Sequence, residues 1–124
     1  MKFTLSKTIR YWWPVTVSIP DPANPGKCIK QTLKVLFEPK NQDAAISAYK
    51  HLEEIPDVHD RLVAERDMLA GVVKDWADVV DDDQTPMPFS QEALNAALQQ
   101  GWFRTGLNRA LTESLTGEEA RLGN

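Results

Sequence analysis

Two runs of alternating apolar and polar residues, joined by a proline-rich loop, constrain the fold of this chain most strongly. Every second residue of 11–19 is apolar, and residues 28–38 largely repeat this alternation. A period of two is typical of a half-buried strand. Residues 20–27, PDPANPGK, contain three prolines and a glycine and favour a loop. The sequence therefore predicts a long antiparallel hairpin with one apolar face.

Three features of this hairpin bear on its neighbours. Pro14 lacks an N–H donor, so we expect the first strand either to lie at a sheet edge or to begin near Pro14. Residues 1–10 alternate loosely and form either a short strand or an arm. An edge left uncovered would be able to pair with another copy or with a partner's strand.

A lone hairpin is marginal in water, so its apolar face needs a cover. The next part of the chain supplies two helices. Asn41 or Asp43 caps the first, which runs to about Glu54, and Pro56 breaks it. The second opens at Asp57 and continues through Trp76. The residues expected to be buried are Ala45, Ile46, Tyr49, Leu52 and Ile55 in the first helix and Val58, Leu62, Met68, Leu69, Val72 and Val73 in the second.

Two further helices follow. Ser90 caps the third, residues 91–100, and Gly101 is expected to end it at the C′ position. The fourth runs from Trp102 to about Leu115, where Thr116 and Gly117 end it. The residues expected to face inward are Ala93, Leu94, Ala97 and Leu98 in the third helix and Trp102, Phe103, Leu107, Leu111 and Leu115 in the fourth.

Together these elements predict an α+β fold, in which an N-terminal antiparallel β-hairpin or small sheet packs against a bundle of about four α-helices. A chain of 124 residues fits one domain and is long enough to bury a core without disulfides. We expect a β-hairpin region at 1–39, a helical region at 41–115 and a flexible polar tail at 116–124.

Charge and composition exclude several function classes. The net charge of −4 argues against a nucleic-acid binder, which would neutralise phosphates with basic residues. No apolar run is long enough for a signal peptide or a membrane span. Cys28 is the single cysteine, so no internal disulfide can form, which fits a reducing compartment. We expect a cytoplasmic protein that binds neither nucleic acid nor membrane.

The acidic stretch 78–90 is predicted to be a connector folded back on the core, with its aspartates facing water. Asp81, Asp83 and Glu92 stand at positions one, three and twelve of a calcium-binding loop. Position six of that loop requires glycine and is Pro86 here. A solvated acidic turn is therefore favoured over a calcium site.

No motif points to catalysis. Cys28 has only two lysines near it in sequence, and the histidines His51 and His59 lack the i, i+4 partner of a helical metal pair. Phosphate-binding glycine loops, serine elbows and CxxC pairs are absent from the sequence. We expect no enzymatic activity and no cofactor, and only a site assembled in space around Cys28 or a carboxylate pair would change this.

Aromatic residues are the candidate protein-binding residues: Trp12, Trp13, Trp102 and Phe103. Alternation sends Trp12 and Trp13 to opposite faces of the strand, so that one of them should escape the core. Trp102 and Phe103 point about 100° apart on a helix, so both could be buried. Exposed tryptophan is a common anchor at protein interfaces. The alternative is that the N-terminal segment covers Trp12.

Residues 72–90 contain an apolar-apolar-x-Asp-Trp run, an acidic turn at 81–83 and a Pro-x-Pro-Phe-Ser run. With these motifs the stretch resembles the tail assembly chaperones of long-tailed bacteriophages and their prophages. The N-terminal hairpin and Leu94 also match, so that the resemblance covers about residues 11–115. Where relatives often carry glycine after the aspartates, this chain has Gln84. The residues of the two runs are Val72, Val73, Asp75 and Trp76, then Pro86, Pro88, Phe89 and Ser90.

This resemblance implies a non-catalytic role. Such chaperones bind the tape-measure protein, keep its helical segments in solution and assist assembly of tail-tube subunits, and they are generally absent from the finished particle. The partners expected here are the tape-measure protein, the tail tube protein and another copy of this chain. The alternative is a small phage or prophage structural or connector protein that is retained in the virion.

Overall fold

The hairpin forms as the alternation predicts. In this computed structural model, which describes residues 1–120, strand β1 spans Tyr11–Pro20 and pairs antiparallel with β2, Cys28–Phe37. Val15 lies opposite Leu33, and both side chains are buried. The intervening loop is closed by Asp21, whose carboxylate accepts hydrogen bonds from the side-chain amide of Asn24 and from the backbone N–H of Ala23. Both bonds lower the pKa of Asp21, with that of Asn24 the larger cause.

A third strand corrects the prediction of a helix through Trp76. Strand β3, Val73–Ala77, pairs antiparallel with β2, which gives a sheet of order β1-β2-β3. The pairing register shifts by one residue between Leu36 and Phe37, so Val73 and Trp76, three positions apart, both face the core. This bulge imitates the spacing of buried residues on a helix, and the periodicity was misleading for that reason.

Four helices complete the α+β fold: α1, Gln42–Glu53; α2, Val58–Gly71; α3, Gln91–Leu98; and α4, Gly101–Leu115. Side chains cap the first three. Asn41, Asp57 and Ser90 each accept a hydrogen bond from the backbone N–H three residues on.

The junction of α3 and α4 differs from the prediction. Gly101 is the first residue of α4 and does not lie at C′ of α3, whose last residue is Leu98. The predicted end of α4 is confirmed, because Gly117 adopts φ +75° and the N–H of Glu118 bonds to the carbonyl of Glu113. The predicted tail, 116–124, is described only to residue 120, and residues 121–124 lie outside the described part of the chain.

Helices α1 and α2 bury fewer of their apolar side chains than the sequence predicts. Leu52 and Leu69 are buried, but four residues expected inside are largely exposed, and so is Leu115 of α4. Among the described residues, helix α1 packs mainly against α2, which leaves part of its apolar stripe exposed. The four exposed residues are Ile46, Tyr49, Val58 and Leu62.

Helix α4 covers the outer edge of β1. In an antiparallel pair of strands, hydrogen-bonded and non-hydrogen-bonded residue pairs alternate. The Asp21 N–H bonds to the Lys27 carbonyl, so the odd-numbered residues of β1 bond to β2 and the even-numbered residues direct their backbone groups away from it. Pro14 is one of these residues and needs no partner there, which confirms the edge-strand prediction. Gly106 of α4 lies so close to the carbonyl oxygen of Thr16 that a Cβ at Gly106 would be 2.6 Å from it. The middle of this edge is therefore not free for strand pairing.

One hydrophobic core joins the sheet to the helices. Phe37, Leu94, Leu98 and Leu107 are among its largest fully buried side chains and come from both the β and the helical regions. The other face of the sheet, which carries Trp12, lies away from this core.

Candidate protein-binding groove

The four aromatic residues singled out in the sequence lie in three different places. Trp12 is 47% exposed on the outer face of the sheet, beside the half-buried Leu36. Trp13 is half-buried on the opposite face and packs against the core. Phe103 is buried in α4, whereas Trp102 next to it is 36% exposed. Only Trp102 and Phe103 share a site.

Trp12 and Trp13 lie on opposite faces of β1, as the alternation predicts. Tyr11 packs edge-to-face on Trp13, with ring centroids 6.1 Å apart, and its hydroxyl lies 2.7 Å from the Ser114 hydroxyl of α4. The indole N–H of Trp13 is buried and, within residues 1–120, has no hydrogen-bond partner. Trp12 keeps about half of its surface accessible, so the N-terminal segment does not bury it.

Trp102 and Phe103 lie in an apolar groove with a volume of about 580 Å³, which we call the α3–α4 groove. One wall is the far end of the hairpin, a second is the connector between β3 and α3, and a third is formed by α3 and the first turn of α4. Val80, Met87 and Trp102 contribute exposed apolar surface to it. The other apolar lining residues are Val17, Ile19, Leu33, Trp76, Val79, Ala93, Ala96, Ala97 and Phe103.

The connector wall is held in place by Trp76. Its indole N–H donates to the carbonyl of Met87 at 2.9 Å, and its ring meets that of Phe89 edge-to-face at 5.5 Å. Val80 and Pro86 form an isolated antiparallel bridge. The connector is thereby folded back on the core, as predicted, with Val79 and Phe89 packed against it, whereas Val80 and Met87 remain exposed.

Asp81 organises the acidic turn. Its Oδ1 accepts hydrogen bonds from the N–H groups of Asp83 and Thr85 at 2.8 and 3.0 Å. The turn also places Gln84 at φ +65°, in the left-handed region that glycine adopts without steric cost. Asp81 is half-buried by this role, while Asp82 and Asp83 face water as expected.

The connector gives the groove an acidic border on one side: Asp78 lines the groove, and Asp82 and Asp83 are exposed in the adjoining turn. Residues 78–100 carry five carboxylates and no lysine, arginine or histidine. Lys34 of β2 approaches Asp78 at 3.9 Å, but both side chains are well exposed, so this pair adds little stability and leaves the connector acidic. An apolar surface beside such a border favours ligands that combine apolar and basic groups.

Sequence reasoning found Trp102 and Phe103 but missed the exposed residues opposite them. Val80 and Met87 belong to a connector without regular periodicity, so no pattern indicated which side chains would remain accessible. The alanines of α3 offered a weak signal: Ala93, Ala96 and Ala97 are three and four residues apart and too small to fill the space beside them.

A second apolar depression of about 140 Å³ lies between α1, α2 and α4. Tyr49 and Leu115 are its most exposed apolar residues. Its border mixes Lys40, Glu65 and Arg104, so it lacks the one-signed charge of the α3–α4 groove.

The groups tested for chemistry do not converge. Cys28 is exposed at the start of β2, and His51 and His59 are exposed on α1 and α2. Across residues 1–120, no cluster of three His, Cys, Asp or Glu side chains could hold a metal ion. Asp81, the first residue of the calcium-loop pattern, instead accepts backbone N–H groups of its own turn.

The fold and the groove define this chain as an α+β protein whose most distinctive surface is apolar with an acidic border. Comparison with protein-family models, with curated proteins and with solved structures yields no match. Within the described residues, no helix has the length and apolar character needed to cross a membrane.

Proposed function

We propose that this protein is a phage tail assembly chaperone that binds amphipathic helical segments of the tape-measure protein in the α3–α4 groove. It acts by reversible, non-catalytic binding in the cytoplasm of the bacterial host. The observation that carries the proposal is that exposed Trp102, Val80 and Met87 line a groove beside the acidic connector, where Asp82 and Asp83 face water.

The chemistry of the groove suits an amphipathic helix. Such a helix buries one apolar face in a hydrophobic groove through anchors at i, i+3, i+4 and i+7. Trp102 offers a large rigid contact surface of the type that dominates binding energies at interfaces. Basic residues flanking the apolar face of the partner helix would meet the carboxylates of Asp78, Asp82 and Asp83, which favours encounter and fixes orientation.

The residues that carry the family resemblance also build this groove, which supports the proposal. Trp76, from the first run, bonds to Met87 between the two prolines of the second run and packs on Phe89. Ser90 then caps α3, so that the alanines of this helix face the groove. The two motif runs thus have one structural purpose, to hold the connector wall against the core.

Co-expression with the tape-measure protein from the same gene cluster tests the function. We expect the tape-measure protein to remain in the supernatant and to co-purify with this chain, because its apolar helical faces are covered. A tape-measure protein that stays insoluble, with nothing co-purifying, contradicts the proposal. Mass spectrometry of purified particles should find this chain absent, and its presence at a fixed copy number would instead indicate a structural or connector protein of the virion.

A further inference from the structure

The N-terminal arm, residues 1–10, exposes large apolar side chains that no element within residues 11–120 buries. It forms no helix or strand, and Phe3 and Leu5 are each 88% exposed. In an extended chain, Phe3, Leu5 and Ile9 project to one side because side chains alternate. Removal of such apolar side chains from water is favourable. The arm therefore has the character of a segment that docks.

The arm and the α3–α4 groove have opposite charges. Lys2, Lys7 and Arg10 are its three charged side chains, and it contains no acidic residue. With three of the fourteen basic residues and none of the eighteen acidic ones in the arm, the rest of the chain carries a formal charge of −7. Residues 78–100 carry five of those carboxylates and no basic residue; Asp78 lines the groove, and Asp82 and Asp83 are exposed in the adjoining turn. The depression between α1, α2 and α4 has a mixed border and offers no such match.

The arm leaves the molecule at the end of the sheet away from the hairpin wall of the groove. Arg10 pairs with Glu38 at 3.2 Å, which holds the base of the arm near the start of β1. Ile19, in the hairpin wall, lies eight residues along β1, or about 26 Å away. An arm held at Arg10 extends Leu5 no further than about 17 Å. Docking along the groove is thus easier for an arm that comes from another molecule.

We propose that the N-terminal arm of a second copy of this chain occupies the α3–α4 groove, so that the protein self-associates through arm–groove contacts. Phe3 and Leu5 of the arm fill the groove beside Trp102, Val80 and Met87, and Lys2 and Lys7 face the connector carboxylates. Two copies that exchange arms form a closed dimer, whereas one-directional docking extends into a chain of molecules. The inference shares the groove with the proposed function, but it does not depend on the tape-measure protein.

Sedimentation of the full-length chain over a range of concentrations tests this proposal. We expect concentration-dependent association of the wild type, and a loss of at least about tenfold in association constant for Leu5→Ser, which removes one buried apolar anchor. Val58→Ser is the control, because Val58 is also an exposed apolar residue but lies at the start of α2, and it should leave association unchanged. A wild type that stays monomeric, or a Leu5→Ser variant that associates like the wild type, overturns the proposal.

Charge reversal identifies the two surfaces involved. Lys2→Glu with Lys7→Glu should weaken association, and so should Asp82→Lys with Asp83→Lys, because each places like charges together. Mixing these two variants should restore association, since the reversed arm then meets a reversed groove. Failure of the mixture to recover at least in part places the contact on another surface.

The outcome is separable from that of the tape-measure experiment. If Leu5→Ser is monomeric and still binds the tape-measure protein, both proposals stand. If the wild type is monomeric yet binds the tape-measure protein, only self-association fails. If arm-dependent association occurs without binding of the tape-measure protein, only the proposed chaperone function fails.

Discussion

At the scale of single residues, Gly106 fixes how closely α4 approaches the sheet. Its Cα lies against the backbone carbonyl of Thr16, where a Cβ would come within 2.6 Å of the oxygen. Gly106→Ala should therefore destabilise the protein by about 1–3 kcal/mol despite the better helix propensity of alanine, because α4 or β1 must shift. The midpoint of urea unfolding measures this. Gly71→Ala is the control: nothing lies within 4 Å of its Cβ, so it should stabilise the protein by up to about 1 kcal/mol. Equal effects of the two substitutions would contradict the account of the α4–β1 contact.

Gln84 is a second position where backbone geometry determines how a substitution changes the unfolding free energy. Its φ of +65° costs a non-glycine residue about 1–2 kcal/mol, and glycine recovers this at an entropic cost of about 0.5–1 kcal/mol. Gln84→Gly should thus raise the unfolding free energy by up to about 1 kcal/mol. Asp78 has the same φ, but aspartate tolerates this region better, so Asp78→Gly should gain less. The reverse order in chemical denaturation would contradict this explanation.

At the scale of elements, the hairpin could be predicted from the sequence and the third strand could not. Alternation over about ten residues identified β1 and β2, because β1 follows a period of two and β2 largely repeats it. Val73 and Trp76 broke that period through the bulge opposite Leu36 and Phe37, and they matched a helical spacing instead. Only the pairing partner reveals the bulge, and that partner lies about forty residues earlier in the sequence.

The candidate site was predictable to a similar extent. Trp102 and Phe103 were both expected to face inward from α4; Phe103 is buried, but Trp102 is 36% exposed and lines the groove. Val80 and Met87 became part of the site through the fold of the connector around Trp76, which local sequence did not reveal. Trp12 was correctly expected to escape the core if Trp13 faced it, but no sequence pattern indicated that it lies far from Trp102.

The acidic turn is an element whose stability rests on one carboxylate. Asp81→Ala removes both bonds to the N–H groups of Asp83 and Thr85, so the Thr85 amide should exchange with deuterium roughly ten times faster. Asp82→Ala removes the same charge from an exposed neighbour and should leave that rate nearly unchanged. Similar acceleration in both variants would indicate that charge alone, and not hydrogen bonding by Asp81, shapes the turn.

At the scale of the whole molecule, exposed apolar residues and charge of a single sign occur together in two places, the arm and the connector side of the groove. The arm is basic and apolar, and the groove is acidic and apolar, while α1 and α2 expose apolar residues among mixed charges. If both proposals hold, the arm of a second copy and a partner helix compete for the α3–α4 groove.

The affinity of an amphipathic tape-measure segment for the wild type and for Trp102→Ser tests the central claim most directly. Calorimetry should show at least about a thirtyfold loss for Trp102→Ser, because truncation of a tryptophan anchor costs 2 kcal/mol or more. Tyr49→Ser, which removes an exposed aromatic from the other depression, and Trp12→Ser, on the outer face of the sheet, should bind like the wild type. If Trp102→Ser binds unchanged while Tyr49→Ser or Trp12→Ser loses affinity, the α3–α4 groove is not the binding site.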